Sequence, residues 1–195
     1  NDGTIEFWFK PTIAYTSGLA EEKFLYVRKV SAQNNLRISF ESNTSKLKFR
    51  VRKDNTNYNA FSDQTTWNAG TWYHVATSWG ANSMKLYVNG VQVGSNSFTG
   101  APTWAEGDVL HFGADSDGTK AFNGNVDELR ISNVQRSDSE ILNSYKRGIL
   151  NLRFQARTSS DNLSWSDFSG AYNNPSSNLS VANNRYFQYI SHFST

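Results

Sequence analysis

The sequence predicts an all-β fold. Short runs of β-branched and aromatic residues recur along the chain, and polar stretches rich in Asn, Ser and Thr separate them. Helix start and stop signals are scarce. The 195 residues suffice for a domain that buries about 70% of its unfolded surface, so neither a disulfide nor a metal is needed to stabilise a small core.

The clearest local signal is a hairpin at Asn89-Gly90. A type I′ turn needs positive φ at both central residues, and Asn-Gly adopts it readily. The flanking runs, Met84 to Val88 and Val91 to Val93, alternate apolar with polar residues, as in a sheet with one buried face. The β-branched and aromatic run from Thr71 to Trp79 predicts the strand that precedes this hairpin.

Further strands are predicted on both sides of the hairpin. They have the same alternation and the same polar boundaries, and they cover residues 4–10, 24–30, 36–40, 47–52, 109–112 and 125–131. Residues 54–69 form a long polar stretch to which no strand is assigned. The odd spacing of Val126 and Leu129 indicates a β-bulge near Asp127 or Glu128.

One short helix is predicted, over residues 138–147. Ser137 and Glu140 form an S-x-x-E capping box, and Gly148 can end the helix. Beyond it, residues 150–157 and 186–193 are predicted strands, too few to bury a core alone. We expect a first domain over residues 1–148 and, over 149–195, either a docked extension or the start of a following module. The first residues lie in mid-pattern, which indicates a piece of a longer protein.

Composition argues against several function classes. A net charge of +2 is too small to argue for nucleic-acid binding, and no apolar run of about 18 residues is present to span a membrane. The absence of cysteine excludes disulfide scaffolds, thiol catalysis and Cys-ligated zinc. This cysteine usage fits a bacterial surface protein better than a small secreted animal domain.

Five segments occur in an order that resembles one known family. They are Gly3-Thr-Ile-Glu-Phe-Trp-Phe-Lys-Pro11, Gly70-Thr-Trp-Tyr-His-Val-Ala76, Leu86-Tyr-Val-Asn-Gly90, Phe122-Asn-Gly-Asn-Val-Asp-Glu-Leu-Arg-Ile131 and the helix after Ser137. Together they are similar to the LamG-like jelly-roll domains of the concanavalin A-like lectin/glucanase superfamily. The resemblance implies a two-sheet antiparallel jelly-roll sandwich over residues 1–148. It leaves the function open, because this superfold hosts lectins, adhesion modules, pentraxin-like binders and glycosidases.

The carboxylates do not form the pattern of a glycosidase. The glucanases of this superfamily place two glutamates and an aspartate on one strand face, as E-x-D-x-x-E, and no such run exists here. Glu21-Glu22 and Asp127-Glu128 are adjacent pairs, whose members point to opposite faces of a strand. His74 lies among strand aromatics and is expected to be a packed histidine rather than a catalytic base. We therefore expect no enzyme activity.

The resemblance implies a structural Ca²⁺ site. The glucanases of this superfamily hold calcium through an aspartate of the last strand, in a D-x-V-R-V context to which Asp127-Glu-Leu-Arg-Ile131 is similar. Asp2 and the Gly3 carbonyl are expected beside Asp127, because the first and last strands of a jelly roll are commonly neighbours. The alternative is that Asp127 caps a turn without a metal.

Loop aromatics beside amides and carboxylates are the expected carbohydrate site. A flat ring stacks on a pyranose, whereas strand aromatics such as Trp8, Trp72 and Trp79 are expected in the core. For each loop aromatic the alternative is packing beneath its own loop, and for the acidic loop 115–118 a tight turn. The expected site comprises Trp104, Tyr58, Asn57, Asn59, Trp67, Asp115 and Asp117.

A basic stripe follows the strand predicted over residues 47–52. Four cations, Lys46, Lys48, Arg50 and Arg52, alternate with apolar residues, and Arg37 lies on a neighbouring strand. The stripe is either a solvated face that discourages edge-to-edge pairing or a site for sulfated or uronic-acid glycans.

These observations favour a non-catalytic carbohydrate-binding or adhesion module of a larger extracellular or cell-surface protein, with a polysaccharide or glycan, acidic in one interpretation, as its partner. The alternative is a structural or protein-binding spacer that contacts neighbouring domains of its parent protein and binds no small ligand; a glycosidase is the least favoured interpretation.

Overall fold

The computed structural model describes residues 2–100, 108–149, 151–170, 172–173 and 181–194. Within these residues, thirteen strands and one helix occur. They are β1 Gly3–Pro11, β2 Lys23–Lys29, β3 Asn35–Phe40, β4 Leu47–Lys53, β5 Thr56–Phe61, β6 Tyr73–Trp79, β7 Met84–Val88, β8 Val91–Asn96, β9 Val109–Phe112, β10 Gly124–Ser132, α1 Asp138–Gly148, β11 Asn151–Ser159, β12 Tyr172–Asn173 and β13 Tyr186–Ser194.

The chain divides into two compact units, residues 1–143 and 144–195, and α1 crosses the boundary. The first unit contains two five-stranded antiparallel sheets. Sheet 1 has the strand order β10-β1-β6-β7-β8, and sheet 2 has the order β5-β4-β3-β2-β9. The predicted jelly-roll sandwich with one short helix is confirmed.

Aromatic side chains fill the core of the first unit. The Phe9 ring lies 5.3 Å from the Tyr73 ring, in a stacked arrangement, and 5.6 Å from the Trp67 ring. The Phe40 ring lies 4.8 Å from that of Tyr15 and is stacked on it. Such pairs contribute about 0.5–1.5 kcal/mol each beyond the area they bury. Core packing therefore accounts for much of the aromatic content.

The predicted hairpin is confirmed, and its outer face explains one buried tyrosine. Asn89 and Gly90 have φ values of 50° and 77°, and Val88 pairs with Val91. Tyr87 lies on the face of β7 that alternation places away from the core, yet it is 0% exposed. Ile141 of α1 and Ala76 of β6 cluster with Tyr87, so the helix covers this part of sheet 1.

The capping box at the start of α1 is also confirmed. The backbone N–H of Glu140 donates to Ser137 Oγ at 3.3 Å, and the backbone N–H of Ser137 donates to Glu140 Oε2 at 2.8 Å. Two N–H groups that have no partner inside the helix are satisfied in this way.

Strand β5 lies within residues 54–69, where the sequence predicts no strand. A tight turn that the sequence signals only weakly starts this strand. Asp54 and Asn55 have φ values of 48° and 67°, which is the two-residue type I′ geometry, and Lys53 pairs with Thr56 across it. The polar strand that follows needs only one partner because it is the edge strand of sheet 2.

The second unit contains a three-stranded sheet in the order β12-β11-β13. Strands β11 and β13 pair over their full lengths, from Asn151↔Ser194 to Ser159↔Tyr186. The guanidinium of Arg157 lies 5.1 Å from the Trp165 ring and 4.7 Å from the Phe168 ring. In the described part of the chain, no helix is both long and apolar enough to cross a membrane.

Candidate functional site

The outward side of sheet 2 carries a continuous set of polar side chains. Apolar residues of β3, β4 and β5 alternate into the core, so the residues between them point outwards. We call these outward residues the polar face: Asn35, Arg37, Ser39, Lys48, Arg50, Arg52, Asn57 and Asn59.

Strand pairing aligns the members of the polar face across three strands. Arg50 is the cross-strand partner of Arg37 on one side and of Asn59 on the other. Arg52 is in the same way flanked by Asn35 and Asn57. Directly opposed side chains on one face lie about 5 Å apart, so cations and amides form one contiguous patch.

One end of the polar face is neutralised by glutamates. Lys48 Nζ lies 2.6 Å from Glu22 Oε1 and 3.9 Å from Glu41 Oε1. Ser39 Oγ donates to the same Glu22 oxygen at 2.6 Å. Burial acts to raise the pKa of Glu22, but the hydrogen bonds from Lys48 and Ser39 outweigh burial and lower this pKa below its ordinary value. Glu22 is therefore a charged partner and not a proton donor at neutral pH.

The side nearer β2 is neutralised by an aspartate of the loop that follows β9. Arg37 Nη1 lies 3.6 Å from Asp115 Oδ2, and the Arg37 guanidinium lies 5.1 Å from the Phe24 ring. The loop is fastened to β2, since Lys29 Nζ donates to Ser116 Oγ at 3.2 Å and the Phe24 N–H donates to a loop carbonyl at 3.1 Å. Phe24 is 0% exposed for this reason, although it lies on the outward side of the sheet.

The remainder of the polar face, at Arg50 and Arg52, is not neutralised. Arg50 Nη2 donates to the amide oxygen of Asn35 at 3.3 Å, and Arg52 Nη2 donates to that of Asn55 at 3.2 Å. Among the described residues, no carboxylate forms an ion pair with Arg50 or Arg52. Neutral amides thus hold both guanidinium groups in place and leave their charges available.

The pKa of Arg50 lies below its ordinary value, chiefly because the group is buried. The neighbouring charges of Arg37 and Arg52 lower it further. Glu22 and Asp115 act in the opposite direction without cancelling these effects. Within the described part of the chain, the Nε atoms of all three arginines and Asn59 Oδ1 are buried and make no hydrogen bond. An anion bound beside Arg50 and Arg52 would offset this positive charge.

The structure brings some of the predicted carbohydrate-binding residues together and separates others. Asn57 and Asn59 belong to the polar face, and Asp115 borders it. Asp117 is exposed at the loop tip, where its Oδ1 accepts hydrogen bonds from the N–H and hydroxyl groups of Thr119 at 2.9 and 2.6 Å. Trp104 lies outside the described residues.

Two predicted ring platforms are turned into the interior. Tyr58 packs against the core, with its ring 4.2 Å from that of Phe98. Trp67 is 0% exposed, and its Nε1–H donates to the Ser45 carbonyl at 2.8 Å. The expectation that Trp67 offers a face to a sugar is wrong, because its loop folds inwards and pairs backbone groups with Tyr15. Trp67 is a core residue.

A strand aromatic shows the reverse behaviour. Trp72 was expected in the core, but it is 39% exposed, and Lys10 Nζ lies 4.9 Å from its ring centroid. Trp72 directly precedes β6, at the rim of sheet 1, where alternation points it away from the sandwich interior. Trp8 and Trp79 are buried, as predicted.

The expected calcium ligands do not share a site. Strands β1 and β10 are indeed neighbours, but their antiparallel register pairs Trp8 with Asp127 and Thr4 with Ser132. Asp2 and Gly3 are therefore about 20 and 17 Å along β1 from Asp127, at roughly 3.3 Å per residue, and one ion cannot contact all three. Across the described ranges, no cluster of three or more His, Asp or Glu side chains could hold a metal ion.

Asp127 instead supports a β-bulge. The register of β1 and β10 shifts between Glu6 and Trp8, and Glu128 has a φ of 51°. Asp127 Oδ1 accepts the backbone N–H of Glu128 at 2.8 Å. The bulge inferred from the spacing of apolar residues is confirmed, and Asp127 stabilises the left-handed residue within it.

Three titratable residues are buried together on the outward side of sheet 1. Glu6 Oε1 accepts a hydrogen bond from Arg136 Nη1, and His74 Nε2 lies 3.7 Å from Glu6 Oε2. Burial, and secondarily the charge of Arg136, lowers the pKa of His74 to about 4. His74 is neutral at physiological pH and 2% exposed, which confirms the prediction of a packed histidine.

A cavity of about 610 Å³ lies at one edge of the first unit, away from the polar face. Ile5, Tyr26 and Trp79 contribute to its walls, together with residues 130–134. Arg28, which also lines it, is paired with Asp108 at 3.2 Å. Asp2 and Arg130 also line the cavity.

Comparison with known proteins identifies the family. A sequence family described as the concanavalin A-like lectin/glucanases superfamily matches residues 1–142. Among solved structures, a native heptameric SAP-like pentraxin from Limulus polyphemus is 18% identical, with a TM-score of 0.54 over 72% of this chain and 68% of that chain. Among curated proteins, none matches.

Two further solved structures are domains of larger proteins. Domain 4 of a GH43 extracellular arabinanase from Geobacillus stearothermophilus, in complex with arabinotriose, is 21% identical, with a TM-score of 0.56 over 73% of this chain and 66% of that chain. The CBM40 of the Ruminococcus gnavus IT-sialidase, bound to α2,6-sialyllactose, is 15% identical, with a TM-score of 0.52 over 73% of this chain and 82% of that chain. At these identities the structures share the fold with this chain. The family match covers most of the sequence, so the chain belongs to the concanavalin A-like lectin/glucanase superfamily.

Proposed function

We propose that this chain is a non-catalytic carbohydrate-binding module of a larger extracellular or cell-surface protein, and that it holds an acidic glycan on the polar face of sheet 2. The observation that carries the proposal is the state of Arg50 and Arg52. Both guanidinium groups are held by neutral amides, and neither is ion-paired with a carboxylate of the described residues.

The side chains of the polar face suit the groups that an acidic glycan presents. A guanidinium donates two parallel hydrogen bonds to a carboxylate or a sulfate. Asn57 and Asn59, directly across from the two arginines, supply amide donors and acceptors that match sugar hydroxyl groups.

A binding role accounts for the carboxylates near the polar face better than a hydrolytic role does. Glycoside hydrolysis needs one carboxyl group with a raised pKa that donates a proton to the leaving group. The pKa of Glu22 is lowered, and Asp115 is ion-paired with Arg37. Two similarly folded structures, the arabinanase domain and the sialidase CBM40, are complexes with saccharides, which is consistent with a glycan ligand here.

A glycan array tests this proposal. The full chain is applied to immobilised neutral, carboxylated and sulfated glycans, beside the Arg50→Gln/Arg52→Gln variant. Lys46→Gln is the matched control, because Lys46 precedes β4 and its side chain is ion-paired, among the described residues, with exposed Asp63 at 4.0 Å. We expect acidic glycans to bind the wild type and the control but not the double variant. Wild-type binding confined to neutral glycans, or binding that the double variant retains, would contradict the proposal.

A second candidate function is contact with protein partners. Strand β13 of the second unit exposes large apolar side chains: Phe187 is 50% exposed, and Tyr189 and Phe193 are each 64% exposed. Exposed aromatic groups of this kind are frequent at protein interfaces. Silence on every glycan array, combined with tight association of the chain with a neighbouring segment of its parent protein, would favour this function.

A further inference from the structure

We infer that the polar face selects glycans whose negative charges are isolated carboxylates and discriminates against densely sulfated chains. This inference rests on the proposed function and concerns the same site. It follows from how charge is distributed over the face and not from the presence of arginines alone.

The free positive charge lies in the central row of the face, at Arg50, and in the end row opposite Lys48, at Arg52. Lys48 is paired with Glu22 and approached by Glu41, whereas Arg37 is paired with Asp115. Only Arg50 and Arg52 remain without a carboxylate partner among the described residues. The polar face therefore has four cations and only three neighbouring carboxylates, and the excess positive charge lies in β4.

Carboxylates flank this excess on two sides. Ser39 and Lys48 are cross-strand partners next to Glu22, two pairs along the ladder from Arg37 and Arg50 and on the same face. Asp115 approaches from the β2 side of Arg37. Both Glu22 and Asp115 act on the charge of Arg50, which places them within electrostatic range of any anion bound there.

The flanking carboxylates are not free to swing away. Glu22 accepts hydrogen bonds from both Ser39 and Lys48, each at 2.6 Å. Asp115 Oδ1 accepts the Ser116 N–H at 2.7 Å, and its backbone N–H donates to the Thr119 carbonyl at 2.9 Å. A ligand would have to break these bonds in order to bring a second anion to Lys48 or Arg37.

One carboxylate on the ligand therefore meets two available guanidinium groups, whereas an additional sulfate on the same or an adjacent sugar meets Glu22 or Asp115. Repulsion between these carboxylates and a nearby sulfate lowers affinity, so the polar face is expected to bind the more highly charged ligand less tightly. Dense sulfation brings repulsion on both flanks without adding a free cation to bind.

A matched ligand pair tests the inference. Isothermal titration of the full chain uses an unsulfated chondroitin hexasaccharide and the same hexasaccharide after chemical oversulfation, at equal salt concentration. We expect the wild type to bind the unsulfated form more tightly, by about tenfold. Glu22→Gln/Asp115→Asn, which keeps similar shapes and removes both charges, is expected to abolish or reverse this preference.

The more exposed Glu41 provides a second variant if the double variant loses stability in thermal melting. Its carboxylate lies 3.9 Å from Lys48, and Glu41→Gln is expected to move the preference in the same direction. Asp63→Asn is the control, because Asp63 is fully exposed and lies against Lys46 instead.

The outcomes distinguish failure of the inference from failure of the proposed function. Tighter wild-type binding of the oversulfated form, with both ligands dependent on Arg50 and Arg52, would overturn the inference and leave the proposed function standing. An unchanged preference in Glu22→Gln/Asp115→Asn would do the same. Absence of binding to either hexasaccharide and to every arrayed glycan would overturn the proposed function and the inference together.

Discussion

Arg50 in β4 lies directly across from Asn59 in β5, and its guanidinium is held from β3 by the amide of Asn35 at 3.3 Å. Three strands thus contribute to one cationic position, and two of the contributors are neutral amides. An arginine fixed in this way has already lost its rotamer freedom, so less entropy is lost when an anion binds. This relationship preorganises Arg50 for the anion that we propose binds on the polar face.

The planar shape of Arg52 is expected to matter as well as its charge. Arg52→Lys keeps the positive charge but loses the paired donors and the bond to Asn55. Affinity for an acidic glycan should fall by about three- to tenfold, measured by isothermal titration. Lys46→Arg is the control and should change nothing. An Arg52→Lys variant with unaltered affinity would show that charge alone accounts for binding.

Trp67 is expected to affect stability and not glycan binding. Trp67→Phe removes the hydrogen bond to the Ser45 carbonyl and opens a cavity in the core. The free energy of unfolding should fall by about 1–3 kcal/mol in urea denaturation, while glycan affinity below the transition is preserved. Loss of glycan binding at unchanged stability would instead support the sequence-based prediction that Trp67 belongs to the carbohydrate site.

The serine cap of α1 is expected to contribute measurably to the stability of the chain. Ser137→Ala removes the Oγ that accepts the Glu140 N–H and should lower the free energy of unfolding by about 1 kcal/mol. Ser139→Ala leaves both backbone bonds of the cap in place and should have a smaller effect. Equal losses in the two variants would contradict this role of the capping box.

Acidification is expected to weaken the fold through His74. Its pKa is about 4 in the folded chain, against an ordinary value of 6.5, so between these values the unfolded chain binds a proton that the folded chain does not. The free energy of unfolding should therefore fall as pH drops from about 7 to 5, by up to about 3 kcal/mol over the full window to pH 4. Most carboxylates titrate below pH 5, so their contribution between pH 7 and 5 is small.

Urea denaturation across that pH range measures the effect. His74→Gln should flatten the profile, whereas His192→Gln, at an exposed position, should leave it as in the wild type. A wild-type profile that does not fall between pH 7 and 5 would mean that His74 is not held neutral by its surroundings.

Local signals in the sequence were sufficient for most of the fold. The Asn89-Gly90 turn, the Ser137–Glu140 box and the bulge near Asp127 each depend on a few adjacent residues, and each occurs as predicted. Strand β5 was missed because its residues are mostly polar. The positive φ of Asp54 and Asn55 that starts it is less evident in sequence than Asn-Gly.

The candidate site was only partly predictable. Alternation placed Arg50 and Arg52 on one face, and local composition favoured Asn57 and Asn59. The neutralisation of the flanks depends on Glu22 and Asp115, which lie far from β4 in the chain and reach it only through tertiary packing. The grouping of Asp2 with Asp127 failed for a similar reason, because strand neighbours were predictable but their register was not.

The position of the bound glycan tests most directly whether the polar face of sheet 2 is the binding site. Isotopically labelled chain is titrated with an acidic glycan that binds on the array, and backbone and side-chain amide chemical shifts are followed by NMR. We expect the largest shifts at Arg50, Arg52, Asn57 and Asn59. Largest shifts on the outward side of sheet 1, such as around Trp72, would contradict this expectation.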